Sequence, residues 1–306
     1  MIEDLRAFVA FIAHGSLSRA ATQMKLSQPA VTRRIQRLEA SIGGALLDRS
    51  VKPARPSALG AHLYERARVV LHEVDDLSKF LNEEGEPDGV FRIGAIQSIS
   101  ETTGVSTVTQ LKRRFPKLQI EMQSDWSLDL IKKIQTGQLD VAAIMAHPSA
   151  QLPVGITGEL IGMHRTVIVG SKTTTLKHRA TLRQLADYPW VMYPEGGCIL
   201  RAGLLNEFQS RGLNLNIAVS ANGAEHQLAL IAAGAGLGFV SEIMVKASRY
   251  REKLRVISVN DFKFEFAIWI IRSPFLGKLT APMRLFRDVV TNRFRHLNNN
   301  AQAAQA

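Results

Sequence analysis

The stretch Ser16–Glu39, SLSRAATQMKLSQPAVTRRIQRLE, decides the fold of the first part of this 306-residue chain. It predicts two short helices joined by a tight turn, because Ser18 and Ser27 are residue types that cap helix N-termini. Pro29 falls in the first turn of the later helix, where its missing N–H group costs little. An earlier amphipathic helix ends at Gly15. Three helices in this order are typical of a helix-turn-helix that reads DNA.

The later helix of this pair carries apolar residues at steps of four, three and four, which is the spacing of a buried stripe. The stripe is Val31, Ile35, Leu38 and Ile42. Polar and basic residues lie off the stripe near the N-terminal end, which recognition helices insert into the major groove. The residues predicted to contact DNA here are Ser27, Gln28, Pro29, Thr32, Arg33, Arg34, Gln36 and Arg37. Arg33 is suited to guanine and Gln28 to adenine. The other two arginines fit phosphate contacts or surface charge, and the alternative for the whole helix is an ordinary solvated amphipathic helix.

A basic segment with two prolines follows at residues 49–57, RSVKPARPS. The prolines prevent a helix, so the three cations project from a short extended loop. Such a loop is suited to be a wing that touches the DNA backbone or the adjacent minor groove through Lys52 and Arg55. A basic loop between domains is the alternative.

A long helix without proline is predicted from Ser57 to about Glu84, with Gly60 as its single glycine. Its apolar residues follow steps of four and three in turn, which is a heptad seam. The seam residues are Leu63, Ala67, Val70, Val74, Leu77 and Leu81. The simplest partner for the seam is the same helix of a second subunit, and such a dimer would present two readers ~34 Å apart. The alternative is a helix packed on the core of its own chain.

The composition limits the classes of protein to consider. Residues 1–60 hold 9 basic and 4 acidic residues, residues 61–90 hold 3 and 8, and residues 91–306 hold 26 and 15, for a net charge of +11. The excess in the last part favours either solubility or an anionic ligand. The single cysteine, Cys198, precludes an intramolecular disulfide and fits a reducing cytoplasm. No apolar run is long enough to predict a membrane span, and the acidic start differs from a signal peptide.

From Val90 onward strands and helices alternate, which predicts two parallel α/β lobes joined by two crossing strands. The predicted strands are 90–95, 118–123, 140–145, 166–170, 190–193, 216–220, 237–241 and 264–271. The predicted helices are 102–115, 128–136, 199–211, 224–235, 242–247 and 280–294. The polar residues 298–306 are predicted to form a disordered tail.

The fold class is therefore α/β, with two Rossmann-like lobes preceded by an all-α winged helix-turn-helix. We expect the winged helix-turn-helix at 1–58, a linker and dimerisation helix at 59–88 and an effector-binding domain at 89–297. Within that last domain, lobe I comprises about 89–163 and 268–297, and lobe II comprises about 164–267.

Ligands in such sheets bind beyond the carboxyl ends of the strands, where helix N-termini supply N–H donors. The residues predicted to contact the effector are Gln97, Ser98, Ser100, Asp125, Trp126, Ala146, His147, Cys198, Ile199 and Asn222. Ser98 through Glu101 also matches a capping box, which is a purely structural role, so Ser100 is the preferred ligand contact. The serine-lined helix start and the positive lobes favour a carboxylate or another small anion.

Three further patterns lack the context that their chemistry requires. GAGLG at 234–238 precedes a predicted strand, whereas a dinucleotide-binding loop follows one. Glu225 and His226 have no partner at metal-ligand spacing, and Cys198 has no base beside it in the sequence. The sequence therefore predicts no metal, no cofactor and no enzymatic activity.

The chain resembles the LysR-type transcriptional regulators to about residue 297, most specifically in its first 60 residues. The motifs that carry the resemblance are SRAA at 18–21, LSQPAVTR at 26–33, IQRLE at 35–39, Gly43, LDR at 47–49, LG at 59–60, FRIG at 91–94, FP at 115–116, GQLD at 137–140, LADYPW at 185–190 and GAGLG at 234–238. The resemblance implies a winged helix-turn-helix, a linker-helix dimer and a periplasmic-binding-protein-like effector domain. It also implies a protein, often tetrameric, that activates or represses transcription in bacteria. DNA-reading roles are implied for Gln28, Pro29, Thr32 and Arg33, and an effector cleft for Ser98, Ser100, the loop after Asp125 and the loop near Cys198.

The chain departs from this family at three places. Leu47 replaces the usual phenylalanine, which is a tolerable exchange in a core. Pro56 and Ser57 replace the usual Leu-Thr before the linker helix. The peroxide sensors of the family use two cysteines, so the single Cys198 excludes a disulfide switch within one subunit, although not modification of the thiol.

The predicted function is sequence-specific transcriptional regulation in the cytoplasm, controlled by a small-molecule effector bound between the lobes. The predicted partners are double-stranded promoter DNA, the effector, a second copy of the chain in a homodimer or homotetramer, and RNA polymerase if the protein activates. One alternative is a solute-binding module or α/β enzyme with an incidental basic helix pair, for which no nucleophile or acid–base pair is evident. Another is a non-specific nucleoid protein, which leaves the α/β lobes unexplained.

Overall fold

The structure, a computed structural model, describes residues 1–51, 53–80, 85–176 and 179–303. The chain divides into two compact units. The first unit holds Met1–Glu83 with Gln135–Gln138 and Phe275–Gly277, and the second holds the remaining residues. None of the described helices is both long and apolar enough to cross a membrane.

The first unit begins with three helices, α1 (Ile2–His14), α2 (Leu17–Met24) and α3 (Gln28–Ile42). Helix α1 ends at Gly15, as the sequence predicts. The cap of α2 differs from the prediction, because Ser16 and not Ser18 is the N-cap and its hydroxyl accepts the N–H of Arg19. Ser18 is the second residue of the helix, and its carbonyl oxygen accepts a hydrogen bond from the hydroxyl of Thr22. Two serines close together satisfied the same cap pattern, so the sequence could not distinguish them.

The predicted stripe of α3 forms the centre of the core of this unit. Val31, Ile35 and Leu38 are buried among residues of α1 and α2. Ile42 is 39% exposed and does not belong to the core, because it is the last helical residue before the C-cap at Gly43. The stripe is therefore confirmed for three of its four members.

A short wing connects α3 to the long helix. Strand β1 (Leu47–Asp48) pairs antiparallel with β2 (Arg55–Pro56), which confirms an extended basic hairpin. Lys52, one of the two predicted wing contacts, lies outside the described residues. Helix α4 (Ala58–Phe80) follows. A Cβ at Gly60 would clash with the backbone carbonyl of Leu46, so this close approach favours glycine.

The heptad seam of α4 is divided between two environments. Ala67 is only 2% exposed and, together with Leu71, belongs to the core of the first unit; Leu63 packs against that core. Val70 and Leu77 are 46% and 63% exposed. Val74 is half-buried, and Leu81 lies outside the described residues. The first half of the predicted dimer seam therefore packs on its own chain, which was the alternative reading, and Val70 and Leu77 stay available to a partner.

The second unit contains the α/β elements. Its strands are β3 (Gly89–Ala95), β4 (Leu118–Ser124), β5 (Val141–Ala146), β6 (Thr157–His164), β7 (Thr166–Ser171), β8 (Arg179–Ala180), β9 (Trp190–Met192), β10 (Ile217–Ser220), β11 (Gly238–Ser241), β12 (Leu254–Val259) and β13 (Phe266–Arg272). Its helices are α5 (Gln97–Arg114), α6 (Ser127–Gln135), α7 (Leu182–Ala186), α8 (Ile199–Ser210), α9 (Ala224–Ala232), α10 (Glu242–Ala247) and α11 (Thr280–Ala303), with 3-10 turns at Arg251–Lys253 and Gly277–Leu279.

These strands form one sheet of five strands in lobe I, and one sheet of four strands with a separate two-stranded sheet in lobe II. The sheet of lobe I has the order β4-β3-β5-β13-β6, with parallel pairing among its first three strands and antiparallel pairing of β13 with both neighbours. The sheet of lobe II has the order β11-β7-β12-β8, with a parallel β10-β9 pair beside it. The prediction of parallel lobes is therefore wrong in part, since both sheets are mixed. Strand β13 does return to lobe I, as the sequence predicted.

The crossing between the lobes runs through Arg165, since β6 ends at His164 in one sheet and β7 begins at Thr166 in the other. The sequence reading missed β6, whose two glycines and exposed edge weaken the strand signal. Helix α5 begins five residues earlier than predicted, at Gln97. Helix α11 continues to Ala303, so the predicted disordered tail is wrong for 298–303, where no glycine or proline ends the helix. Residues 304–306 lie outside the described residues.

Candidate functional site

The N-terminal end of α3 presents most of the predicted DNA contacts to solvent. Ser27, Gln28, Pro29, Arg33, Gln36 and Arg37 are exposed, and Thr32 and Arg34 are half-buried. Pro29 lies in the first turn of α3 and has no N–H to donate, while the N–H groups of Ala30 and Val31 bond the carbonyl oxygen of Ser27. The surface has the composition and the position on the helix that a recognition helix requires.

The three arginines of this surface differ in their partners. Arg34 is bound to α1, since its Nη1 lies 2.7 Å from Oε2 of Glu3. Arg37 is also bound to α1, since its Nη2 lies 2.6 Å from Oδ1 of Asp4. Burial alone would raise the pKa of Asp4, but the hydrogen bond and charge of Arg37 outweigh it, and the pKa is lowered. Arg33 has no ion pair or hydrogen bond with any described residue. Its guanidinium is therefore the one that can turn fully toward a base.

A carboxylate that the sequence reading missed holds the wing in place. Both oxygens of Glu39 are used, because Oε1 accepts the N–H groups of Leu46 and Leu47 and Oε2 lies 2.8 Å from Arg49. Glu39 follows Leu38 in the recognition helix. Its partners lie seven to ten residues further along the chain and beyond the end of α3, so helical spacing does not reveal them. Arg55, the described member of the two wing contacts, is exposed.

The second unit contains a cavity of about 370 Å³ between lobe I and lobe II. Seven of the predicted effector contacts line it: Gln97, Ser98, Asp125, Trp126, Cys198, Ile199 and Asn222. Four of the described helices of eight residues or more begin at this cavity, namely α5, α6, α8 and α9. The prediction that the site lies beyond the strand ends therefore agrees with where the cavity is.

Three predicted contacts lie elsewhere, for local geometric reasons. Because α5 begins at Gln97, Ser98 faces the cavity and Ser100, two residues on, faces the other side of the helix. The cavity therefore favours Ser98 over the predicted Ser100 as a ligand contact, and the predicted capping box does not form, since Ile96 is the N-cap. Ala146 follows Met145 in β5, and because successive side chains of a strand point to opposite faces, Ala146 points away from the cavity that Met145 lines. His147 is exposed and its Nδ1 lies 2.8 Å from the hydroxyl of Ser149.

Three buried polar side chains in the wall were missed by the sequence reading. His164, Gln227 and Ser241 line the cavity and are 3%, 0% and 7% exposed. Both ring nitrogens of His164, Oε1 of Gln227 and the hydroxyl of Ser241 have no hydrogen-bond partner among the described residues. Burial lowers the pKa of His164 to about 4, so its ring is neutral near pH 7. These residues come from three separate elements, which no sequence motif joins.

The charge of the cavity wall is opposite to the charge of the chain. Its charged lining residues are Glu101 and Asp125, and no lysine or arginine is among the described lining residues. Asp125 lies 2.6 Å from Nζ of Lys133; burial would raise its pKa, but this pair outweighs burial and lowers it. The positive excess on which a carboxylate ligand was expected is therefore not at the cavity.

The two lobes touch across the mouth of the cavity. The hydroxyl of Tyr193 in lobe II donates to Oε1 of Gln97 in lobe I over 3.0 Å, and Nε2 of Gln97 donates to Glu101 over 2.7 Å. The Trp126 ring meets the Tyr193 ring edge-on, with centroids 5.2 Å apart. Gly197 lies so close that a Cβ would be 2.6 Å from the Trp126 ring. The two lobes are therefore in direct contact beside the cavity.

Cys198 lies at the start of α8 and is buried. Burial raises the pKa of its thiol, although nearby N–H groups of Leu200 and Arg201 act in the opposite direction. The thiol is therefore protonated near pH 7 and a poor nucleophile.

Comparison with known proteins decides the family. The profile of the bacterial regulatory helix-turn-helix protein, lysR family, matches residues 2–61. The profile of the LysR substrate binding domain matches residues 84–295. The chain belongs to the LysR family. It is a DNA-binding transcriptional regulator with an effector-binding domain, and not an enzyme.

Individual relatives and solved structures agree with this assignment. A hydrogen peroxide-inducible genes activator of Pectobacterium carotovorum subsp. carotovorum is 27% identical over 82% of this chain and 83% of its own length. The HTH-type transcriptional regulator BbuR of Bordetella bronchiseptica is 31% identical over 63% of this chain and 59% of its own. Full-length OxyR of Pseudomonas aeruginosa, in a cysteine-to-aspartate variant, has the same fold, with a TM-score of 0.74 and 18% sequence identity. The match covers 95% of this chain and 94% of the OxyR chain. CbnR bound to its target DNA gives a TM-score of 0.58 at 19% sequence identity, over 95% of this chain and 99% of the CbnR chain.

Proposed function

We propose that this LysR-family protein reads promoter DNA in the cytoplasm with the N-terminal end of α3, and that a small molecule in the cavity between the lobes controls that reading. The observation that carries the proposal is the pairing of an exposed arginine on the recognition helix with a largely apolar cavity that contains buried polar atoms. A ligand that binds one interlobe arrangement better than another shifts the population toward it, and DNA binding shifts with it.

Dimerisation through α4 is part of the proposal. Val70 and Leu77 are exposed apolar residues one heptad apart on the helix, which is the spacing of a coiled-coil seam. A dimer or tetramer would place two readers on neighbouring half-sites, and an activator of this kind would contact RNA polymerase. Size-exclusion chromatography of Leu77→Glu tests the seam, since a buried charge at this position would shift the protein toward monomer.

Peroxide sensing does not carry over to this chain, although several relatives are named as peroxide-inducible gene activators. These relatives are only 27% identical in sequence to this chain. Cys198 is the only cysteine of the chain, and its thiol is buried with a raised pKa. A non-covalent effector in the cavity is consistent with these facts.

The link between cavity and DNA can be tested before the effector is known. Ser98→Leu adds bulk inside the cavity, and Ser100→Leu adds the same bulk on the other side of α5. A DNA site is first selected from a random pool with the purified protein, and binding is then measured with and without a small-molecule extract of the host cells. We expect the extract to change DNA binding of the wild type and of Ser100→Leu, but not of Ser98→Leu. An equal response of all three proteins would contradict control through this cavity.

A further inference from the structure

We infer that the ligand of the interlobe cavity is a small zwitterion, namely a free amino acid with an apolar side chain, and that Glu101 selects its ammonium group. The inference rests on the proposed function, since it names the chemical class of the effector that the cavity is proposed to bind. It is carried by a carboxylate without a cationic partner and a hydroxyl without a hydrogen bond, both on α5 where that helix lines the cavity.

The first observation concerns Glu101, which lines the cavity and is exposed. Its Oε1 accepts a hydrogen bond from Nε2 of Gln97 over 2.7 Å, and it has no ion pair with a described residue. Burial, and after it the charges of Cys198 and Glu101, raises the pKa of Tyr193 in the other lobe. The carboxylate therefore lies at the mouth of the cavity, close to the tyrosine that bridges the lobes.

Nothing in the described wall neutralises this charge. The described lining residues include no lysine or arginine, and the second acid of the wall, Asp125, is already paired with Lys133 over 2.6 Å. A carboxylate at the mouth of a largely apolar cavity loses part of its hydration when a ligand enters. A positive group on the ligand compensates for that loss, whereas a negative group beside Glu101 is repelled.

The second observation concerns Ser98, in the first turn of α5. Ser98 lines the cavity and is 9% exposed, and its hydroxyl makes no hydrogen bond with a described residue. Unlike the fully covered polar atoms of the wall, this hydroxyl keeps accessible surface. The N–H groups of Gln97 and Ser98 have no acceptor among the described residues, whereas the next two N–H groups both donate to the carbonyl oxygen of Ile96. Three donors at the positive end of a helix suit a carboxylate.

The spacing of the two groups matches one kind of molecule. Ser98 and Glu101 are three residues apart in α5, so they lie on the same face with Cβ atoms about 5–6 Å apart. Because each hydrogen bond adds about 3 Å of reach, such a pair can hold two ligand groups that are joined by a single carbon atom. An α-amino acid carries its carboxylate and its ammonium group on one carbon atom. Its carboxylate then meets the start of α5, and its ammonium group meets Glu101.

The rest of the wall suits an apolar side chain. A cavity of about 370 Å³ is at the small end of the range of ligand sites, which is about 300–1,000 Å³. Its apolar lining residues include Ile96, Met145, Leu228, Val240 and Met244. A ligand with a single charge fits less well, since a simple carboxylate would face Glu101 and a simple amine would leave the hydroxyl and the two N–H groups without an acceptor.

The test uses sets of three probes that share one side chain. The sets are leucine with 4-methylpentanoate and 3-methylbutylamine, methionine with 4-(methylthio)butanoate and 3-(methylthio)propylamine, phenylalanine with 3-phenylpropanoate and 2-phenylethylamine, and tryptophan with indole-3-propanoate and tryptamine. Each probe is added at millimolar concentration to the full-length chain, and the Tm is followed, because a ligand of the folded form raises it. We expect at least one amino acid to raise the Tm more than both of its singly charged analogues do. The inference is overturned if no amino acid raises the Tm, or if every amino acid that raises it is matched by one of its analogues.

Two glutamates of lobe I provide matched variants for the ammonium group. Glu101→Gln removes the charge and keeps an oxygen that can accept the hydrogen bond from Gln97. We expect it to weaken binding of the amino acid about tenfold and to leave binding of the deaminated analogue unchanged or stronger. Glu121→Gln should bind the amino acid as the wild type does, because Glu121 lies in β4 and is not among the described lining residues. Equal affinities of the two variants for the amino acid would show that Glu101 does not contact the ammonium group.

Two serines of α5 test the carboxylate in the same way. Ser98→Ala removes a hydroxyl at the cavity, whereas Ser100→Ala removes one on the other side of the helix. We expect Ser98→Ala alone to weaken binding of the amino acid and of its deaminated analogue about three- to tenfold. If the two variants bind these probes equally well, the carboxylate does not lie at the start of α5 and the inference fails.

The same probes separate this inference from the proposed function. If an amino acid binds through Glu101 and DNA binding does not change, the ligand class stands and control of DNA binding fails. If cell extract changes DNA binding of the wild type but not of Ser98→Leu, while no amino acid raises the Tm, control stands and the ligand class fails.

Discussion

Replacing Arg33 with alanine should weaken DNA binding at one base without changing the stability of the fold. Arg33 projects from the N-terminal half of α3 and has no ion pair or hydrogen bond with a described residue. Its removal therefore breaks no contact within the protein. A change at an exposed position of this kind alters the free energy of unfolding by less than about 0.5 kcal/mol.

The expected loss of affinity follows from the contact that a free guanidinium can make. Two parallel hydrogen bonds to one guanine discriminate against another base by about 1–3 kcal/mol. That range corresponds to about 5- to 150-fold in the dissociation constant. The loss should appear on the preferred site alone, because a base contact adds nothing on DNA that lacks the base.

Arg34 provides the matched control in the next position of the helix. Its Nη1 is held by Glu3 at 2.7 Å, so it is not free to reach a base. Arg34→Ala should lower stability by about 0–1 kcal/mol, as loss of a surface ion pair does. Any effect on DNA should be equal for all sequences, and the base preference should stay.

The assay is fluorescence anisotropy at several salt concentrations, with the selected site, its single-base variants and scrambled DNA. For Arg33→Ala we expect weaker binding to the selected site, unchanged binding to scrambled DNA and tolerance at one base position. Urea unfolding of both variants controls for stability. An equal loss on selected and scrambled DNA would show that Arg33 contacts only phosphate, and the reasoning would fail.

Three further predictions follow from single positions. Gly60→Ala should lower the free energy of unfolding by about 3 kcal/mol, because its Cβ would clash with the backbone of Leu46. Gly44→Ala should lower it less, because its Cβ would meet only the movable side chain of Leu59. Urea unfolding of both variants tests this, and equal losses would contradict it. Burial lowers the pKa of His164 from 6.5 to about 4. As the pH falls, His164 is therefore protonated in the unfolded chain before it is protonated in the folded chain. The stability contributed by the neutral ring is complete above pH 6.5 and is lost as the pH falls toward 4. His164→Phe should remove about 3 kcal/mol of that fall, and parallel stability curves of variant and wild type would refute it. Hydrogen peroxide should leave DNA binding unchanged in the wild type and in Cys198→Ala, and a response in the wild type alone would show that the thiol reacts.

The sequence was sufficient where the signal is local and periodic. The stripe of Val31, Ile35 and Leu38 has a helical period, and the structure buries all three residues. The start of α5 was harder, since Ser98 with Glu101 satisfies a cap pattern that the structure does not use. With the helix start misplaced by five residues, Ser100 was expected at the cavity, whereas Ser98 lines it. Two residues along a helix change the side that a residue faces.

The polar wall of the cavity could not be predicted in this way. His164 ends β6, Gln227 lies in α9 and Ser241 ends β11, and only the tertiary fold brings them to one cavity. The seam of α4 was ambiguous for a related reason. Its spacing is compatible both with a partner helix and with the core of the same chain, and the burial of Ala67 shows that the core uses part of it.

The origin of the wall residues in two lobes gives a ligand a way to act on the lobes. His164 belongs to lobe I, whereas Gln227 and Ser241 belong to lobe II. A ligand that contacts wall residues of both lobes is bound best at one separation of the lobes, and in this structure Tyr193 and Gln97 bridge the lobes at that separation. The free energy of those contacts is then largest in this arrangement, which is the differential affinity that a ligand needs to shift an equilibrium. A ligand that touches only one lobe gains the same free energy at every separation and should therefore leave DNA binding unchanged.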